Sequence, residues 1–97
     1  MIVRIVNMKF RTDEVEAFKA YFNEIHPKIR NFEGCTHLEL WQDANDADRF
    51  FTYSHWEDES YLENYRNSEL FKAFWSVAKS KFAEKAQAWS HHRIVVA

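Results

Sequence analysis

Two hydrophobic periodicities, in a fixed order along the chain, limit what these 97 residues can fold into. A period of two residues is typical of a strand, and spacings of three and four are typical of one helix face. Alternation covers residues 2–10, where one face carries Ile2, Arg4, Val6, Met8 and Phe10. Helical spacing then relates Val15, Phe18, Phe22, Ile25 and Ile29. The first third of the chain therefore predicts a strand followed by an amphipathic helix.

Local signals set the expected ends of this helix. Thr12 or Asp13 is the predicted N-cap, because either side-chain oxygen can accept a backbone N–H bond. Pro27 lacks a backbone donor and crowds the preceding turn, so we expect a kink or a break there. The helix is expected to end at residues 32–34, where Gly34, the only glycine, permits a left-handed turn.

Two strand-like runs, residues 35–42 and 49–56, flank a loop rich in Asp and Asn. Such side chains suit a chain reversal, so the runs are predicted to pair as a hairpin. The working register places three pairs on one sheet face: His37 with His55, Glu39 with Tyr53, and Trp41 with Phe51. A slip of one residue would change every pair.

A second helical region and a last strand complete the pattern. Asp58 or Ser60 is the predicted cap, and Ser60 with Glu63 has the spacing of a capping box. We expect a bend near residue 67, a second cap at Ser68 and a helix that runs to about Ala86. Residues 88–96 return to the alternation of a strand.

The order strand, helix, strand, strand, helix, strand predicts an α+β fold of ferredoxin-like topology, β-α-β-β-α-β, in one domain covering residues 1–97. Right-handed crossovers place both helices on one face of a four-stranded antiparallel sheet. The other face is then bare. We expect it to be apolar, carrying Ile2, Val6, Met8 and Phe10, and to be covered by a second copy of the chain in a homodimer.

Charge and composition exclude several functions. Thirteen Lys and Arg against fifteen Asp and Glu leave a formal net charge of −2, which disfavours nucleic-acid binding. No apolar run approaches the roughly 20 residues that span a bilayer, so no membrane partner is expected. The single cysteine, Cys35, permits no intramolecular disulfide, and no secretory signal is recognisable. We expect a cytoplasmic oligomer that binds a small hydrophobic or aromatic molecule.

The aromatic and histidine content leaves two alternatives open. Nine Phe, four Tyr and four Trp give seventeen aromatic residues, which either fill a core or line a pocket. Among the five histidines, His91 and His92 are adjacent on a strand and point to opposite faces. His37 and His55 could join Glu39 as metal ligands, but ordinary buried or interfacial histidines are the favoured interpretation, so no metal site is expected. His37, His55 or His92 could also serve as a base.

Several motifs together resemble a known family: Phe32-Glu33-Gly34-Cys35, Glu39-Leu40, the acidic loop, Arg49-Phe50-Phe51, Trp56-Glu57-Asp58, Leu62, Ser68, Phe71 and Phe74. The chain resembles the antibiotic-biosynthesis monooxygenases, small ferredoxin-like proteins also called dimeric α+β barrels, from Ile2 to about Ser90. That family includes oxygenases of aromatic polyketides, quinol oxygenases and haem-degrading enzymes. The resemblance implies a pocket between sheet and helices in each subunit, roofed by the second helix.

The resemblance also implies site residues. Haem-degrading members are similar at Asn7 and Tyr65 but have a haem-ligating histidine where this chain has Trp75. An indole nitrogen only donates hydrogen bonds, so haem chemistry by that route is disfavoured and no cofactor is expected. In cofactor-free members, Asn, Trp and Tyr side chains hold a phenolic substrate, which makes Asn7, Tyr65 and Trp75 the candidate catalytic residues.

Candidate substrate contacts are Phe22, His37, His55 and Phe71. Each candidate also has a purely structural interpretation: Asn7 as a hydrogen-bonded buried amide, and Tyr65 and Trp75 as core aromatics. Two functions therefore remain. One is a cofactor-independent monooxygenase acting on a small aromatic or quinol-like substrate; the other is a non-catalytic dimeric module that binds a small ligand.

Overall fold

A computed structural model describes every residue from Met1 to Ala97. In chain order the elements are β1 (Ile2–Lys9), a 3-10 turn (Thr12–Glu14), α1 (Val15–Arg30), β2 (Cys35–Gln42), β3 (Arg49–Trp56), α2 (Glu59–Arg66), α3 (Glu69–Lys79) and β4 (Gln87–His91). The strands form one antiparallel sheet in the order β2-β3-β1-β4. The predicted ferredoxin-like fold is confirmed. None of the helices has the length and apolar character that crossing a bilayer requires.

The hairpin of β2 and β3 has the predicted register. His37 pairs with His55, Glu39 with Tyr53 and Trp41 with Phe51, while an irregularity between Cys35 and His37 shifts the start of β2. The loop is closed locally, since the carboxylates of Asp43 and Asp46 accept backbone N–H bonds from Asn45 and Asp48. Loop chemistry and strand alternation together therefore determine which side chains share a face.

The predicted break at Pro27 is wrong. α1 continues through Pro27 to Arg30, because Pro27 lies on the exposed side, where a carbonyl without its helical partner can bond to water. Buried Ile29 holds the last turn against the core. The predicted cap is also wrong: Glu14 precedes α1 without a side-chain cap bond, and the Thr12 hydroxyl donates to Asp48 instead, at 2.6 Å.

The second helical region is two helices. Asp58 caps α2 by accepting the backbone N–H bonds of Ser60 and Tyr61, and Ser68 caps α3 by accepting that of Phe71. α3 ends at Lys79 rather than near Ala86, because the following residues bond to the end of β1: Arg11 N–H donates to Lys81 O, and Ala83 N–H donates to Lys9 O. The last strand is also shorter than predicted and ends at His91.

The core lies between the helices and one face of the sheet. Its largest fully enclosed side chains are Met8, Phe10, Phe18 and Trp56. Phe10 of the β1 end stacks on Phe18 of α1 with ring centroids 4.1 Å apart. The expectation that Ile2, Val6, Met8 and Phe10 form the bare face is therefore wrong. Both faces of β1 are largely apolar, so alternation alone does not tell which of them the helices cover.

The other face of the sheet, here called the open face, carries the second set of alternating side chains. On β1 these are Val3, Ile5, Asn7 and Lys9, and their neighbours on the other strands include His37, Trp41, Phe51, Tyr53, His55 and Trp89. Trp41 is 39% exposed and Trp89 43% exposed. No element of the chain covers these rings.

Candidate functional site

A cavity of about 250 Å³ lies between the helix-covered face of the sheet and the helices. Its floor comes from alternating residues of the strands, among them Arg4, Val6 and Met8 of β1 and Thr52 and Ser54 of β3. The roof is formed by side chains of α1, α2 and α3: Phe22, Ile29, Leu62, Tyr65, Arg66, Phe71, Phe74 and Trp75. The ring-rich sequence thus supplies both a core and a cavity lining.

Tyr65 lies in the roof with its ring held on both sides. The ring stacks on Trp56, with centroids 4.8 Å apart, and meets Phe71 edge-on at 5.2 Å. Burial raises the pKa of the Tyr65 hydroxyl above its ordinary value of 10.0, so the group stays protonated near neutral pH. The Tyr65 hydroxyl has no hydrogen-bond partner within the chain, and because every fully buried side-chain polar atom has one, this oxygen is not fully buried. Tyr65 can therefore donate a hydrogen bond to a ligand.

Trp75 reaches the same cavity from α3. Its ring stacks on Phe71 at 5.6 Å and meets Phe82 edge-on at 5.5 Å. On one continuous helix, residues 65 and 75 would be about 80° out of alignment, at 100° per residue. The interruption between α2 and α3 removes that constraint. The structure brings Tyr65, Trp75, Phe22 and Phe71 together around one space.

Asn7 lies elsewhere. Alternation on β1 places it on the open face, where its side-chain oxygen accepts from Arg49 at 2.6 Å and its amide nitrogen lies 3.4 Å from Gln87 Oε1. Arg49 is held in turn by Glu84 at 2.7 Å. Within one chain the structure does not bring Asn7 to Tyr65 and Trp75, because the sheet separates them. The amide has structural partners, as the alternative interpretation required.

His37 and His55 are on the open face as well, so they are not in the cavity. Their rings are 4.9 Å apart. His37 bonds to Glu39, which also accepts from Trp41 Nε1 at 2.8 Å; His55 bonds to Tyr53 at 2.7 Å. Arg93 donates to the Tyr53 hydroxyl at 3.1 Å. No three His, Cys, Asp or Glu side chains are grouped so that they could hold a metal ion.

Acid should destabilise the fold through His55. Burial, then the charges of Arg93 and His37, lower the pKa of His55 from its ordinary 6.5. The neutral ring is therefore favoured in the folded state, and this stabilisation is present above 6.5 and lost as pH falls through the folded value. We expect the free energy of unfolding, measured by urea titration, to fall between neutral pH and the range where carboxylates titrate. His55→Gln should make the free energy of unfolding depend less on pH in this range. An unchanged pH dependence would contradict the attribution of this effect to His55.

Cys35 is not an activated nucleophile. Its side chain is 6% exposed, and burial raises the pKa of the thiol above its ordinary value, a shift only partly opposed by a bond to His37 O and by Arg30. Because the thiolate is the reactive form, we expect iodoacetamide to alkylate native Cys35 at least about tenfold more slowly than free glutathione near neutral pH. A rate equal to that of glutathione in the folded protein would contradict this.

Ser54 and Arg4, which were not among the predicted site residues, contribute polar groups to the cavity. Ser54 Oγ accepts from Trp56 Nε1 at 3.0 Å, and Arg4 Nη1 donates to Ser90 Oγ at 3.0 Å across the pair of β1 and β4. The sequence does indicate Arg4 as unusual, because it is the one charged side chain on the face of β1 that otherwise carries Ile2, Val6 and Met8.

A family model for antibiotic biosynthesis monooxygenases matches residues 1–76. The chain belongs to this family. No curated protein matches the monooxygenase-family chain. Solved structures do: one described as an antibiotic biosynthesis monooxygenase superposes with a TM-score of 0.90 at 16% identity, covering 98% of this chain and 100% of its own.

Two other solved structures that share the fold are not described as monooxygenases. A conserved protein from Methanosarcina mazei has a TM-score of 0.89 at 16% identity, with 97% of this chain and 94% of that one covered. The Mycobacterium tuberculosis protein Rv0793 has a TM-score of 0.88 at 14% identity, with 99% and 97% covered. At such identities the likeness shows that the fold is shared along nearly the whole chain.

Proposed function

We propose that the chain is a cofactor-independent monooxygenase that oxidises a small aromatic or quinol-like molecule in the cavity between sheet and helices. The observation that carries the proposal is a cavity lined by aromatic rings, among them Tyr65, whose hydroxyl has no hydrogen-bond partner within the chain. An apolar cavity of about 150 Å³ holds benzene. A cavity of 250 Å³ therefore has room for a substituted ring or two fused rings.

The chemistry divides between protein and substrate. A conjugated substrate that has lost a proton can itself transfer an electron to O2, so the protein's task is to orient the ring and stabilise its anion. For an anthrone-like CH2 group, one oxygen atom of O2 becomes the new carbonyl oxygen, and the other leaves as water with the two hydrogens. Tyr65 donates to the substrate oxygen, and the stacked pair of Phe71 and Trp75 contacts one side of the substrate ring.

Oxygen uptake tests this function. With a panel of hydroquinones and anthrones in metal-depleted buffer, the native chain should consume O2. Tyr65→Phe should lower kcat by about tenfold to hundredfold, because one donor to the developing anion is lost. Asn7→Ala is the matched control, since it removes a polar group on the opposite face, and it should leave the rate unchanged. No uptake by the native chain, or equal rates in native protein and Tyr65→Phe, would reject the proposed chemistry.

A specific observation supports the alternative, a binding module without catalysis. The cavity lining contains no His, Asp or Glu that could remove a substrate proton. Saturable binding of the same aromatic compounds without oxygen uptake would favour this second function.

We further propose that the chain forms a homodimer through the open face. Exposed Trp41 and Trp89 flank a surface with Ile5 and Phe51, and pairing two such faces would remove these rings from water. Light scattering at micromolar concentration should give twice the chain mass of 11.7 kDa. Trp89→Asp should favour the monomer, whereas Lys72→Asp on α3 should not. A monomeric native protein would contradict the proposal.

A further inference from the structure

The floor of the cavity contains a cation without a carboxylate partner. Arg4 lines the cavity beside Val6 and Met8 and is half-buried. Its side-chain hydrogen bond goes to the neutral hydroxyl of Ser90, at 3.0 Å. None of the ion pairs of the chain includes Arg4. A guanidinium has five N–H donors, so most of its hydrogen-bonding capacity is unused by the protein.

The surroundings do not compensate this charge. The lining contains no acidic residue, and Arg66 at the end of α2 brings a second positive charge to the same cavity. Arg66 is 3.5 Å from Glu63, whereas Arg4 has no such neighbour. Burial first, and the charge of Arg66 second, lower the pKa of Arg4, against a smaller opposing influence of Glu63. An apolar cavity with net positive charge favours an anion, since a charge-assisted bond is strongest where water is excluded.

We infer that the ligand of the cavity is a small aromatic anion whose charged oxygen is held by Arg4. The rings of Phe71 and Trp75, which stack on each other and line the cavity, supply the apolar contact, and the guanidinium donates to a carboxylate or an ionised ring hydroxyl. The inference rests on the proposed function only in taking this ligand as the substrate. It assigns to Arg4 the selection of acids over neutral rings of equal shape.

Three naphthalene probes distinguish charge from shape. 2-Naphthoate carries the anion, 2-naphthamide is its neutral isostere, and 2-naphthol reports an ionised hydroxyl by its own absorbance. In titrations near neutral pH, the native chain should bind naphthoate more tightly than the amide. Arg4→Met should weaken naphthoate binding roughly tenfold to hundredfold and remove the preference, as loss of a charged hydrogen bond predicts. Bound 2-naphthol should ionise at a lower pH than free naphthol, and this shift should vanish in Arg4→Met.

Controls separate the charge from the fold. Arg4→Lys retains a cation and should restore part of the preference, while Arg11→Met makes the same charge change outside the cavity and should bind naphthoate as the native chain does. If Arg4→Met does not fold, the inference is tested by whether the native chain prefers naphthoate to naphthamide and whether Arg4→Lys retains part of that preference. Equal binding of acid and amide, a preference that persists in Arg4→Met, or no binding of any probe would overturn the inference.

The oxygen-uptake assay tests the proposed function separately from the anion site. Charge-dependent binding without oxygen uptake would reject the monooxygenase function and leave the anion site standing. Oxygen uptake with neutral substrates that does not depend on Arg4 would leave the monooxygenase and reject the anion.

Discussion

Gly34→Ala should destabilise the protein by about 3–5 kcal/mol, a large part of the ~5–15 kcal/mol typical of a domain. Gly34 has a φ of +88°, which side-chain-bearing residues rarely adopt, and a Cβ there would overlap the side chain of Tyr61. Two costs therefore combine: strain in the backbone and a collision with the first turn of α2. Urea titration followed by far-ultraviolet circular dichroism measures the loss.

Controls for Gly34 separate strain from collision. Glu33→Ala, at an exposed neighbouring position, should change stability by no more than about 0.5 kcal/mol. Gly34→Ala combined with Tyr61→Gly should be less harmful than the sum of the two single changes, because Cβ, Cγ and Cδ1 of Tyr61, the atoms that collide, are all gone. Strict additivity would show that the collision is absent, and a loss below about 1 kcal/mol in Gly34→Ala would contradict both costs.

Ala88→Trp should block the cavity and reduce aromatic-ligand affinity by at least about hundredfold, since an indole occupies space that the ligand needs. Ala88 lines the cavity, yet its side chain is exposed on β4, so the larger ring can be accommodated without disrupting the core. Binding of 2-naphthoate measures the effect. Ala17→Trp adds the same ring to an exposed position of α1 and should leave affinity unchanged. Native affinity in folded Ala88→Trp would mean that the ligand binds elsewhere.

Much of the fold could be predicted because local signals agree with tertiary structure. The hairpin register follows from alternation and loop chemistry, and Ser68 caps α3 as its spacing indicates. The end of α3 could not be predicted, because the backbone bonds of Lys81 and Ala83 go to the distant end of β1. Pro27 predicts a break that does not occur, because Pro27 lies on the exposed side of α1, where the missing bond is tolerable.

The helix residues of the site could be predicted from the sequence, whereas the β1 residues could not. Helical spacing puts Phe71 and Trp75 on the same side of α3, and the interruption after α2 lets Tyr65 join them at the cavity. Asn7 and Arg4 depend instead on which face of β1 the helices cover. With apolar residues on both faces, a period of two gives two equivalent assignments, and it allows Asn7 in the pocket as readily as Arg4. The stacking of Phe10 on Phe18 determines the face, and this contact joins β1 to α1.

Oxygen incorporation tests the central claim most directly. The native chain would be incubated with isotopically labelled O2 and an anthrone in metal-depleted buffer, and the product analysed by mass spectrometry beside that of Ala88→Trp. The account predicts one labelled oxygen atom in each product molecule from the native chain, and product at the uncatalysed background from Ala88→Trp. Product without label, or equal labelled product from both proteins, would contradict a monooxygenase acting in this cavity.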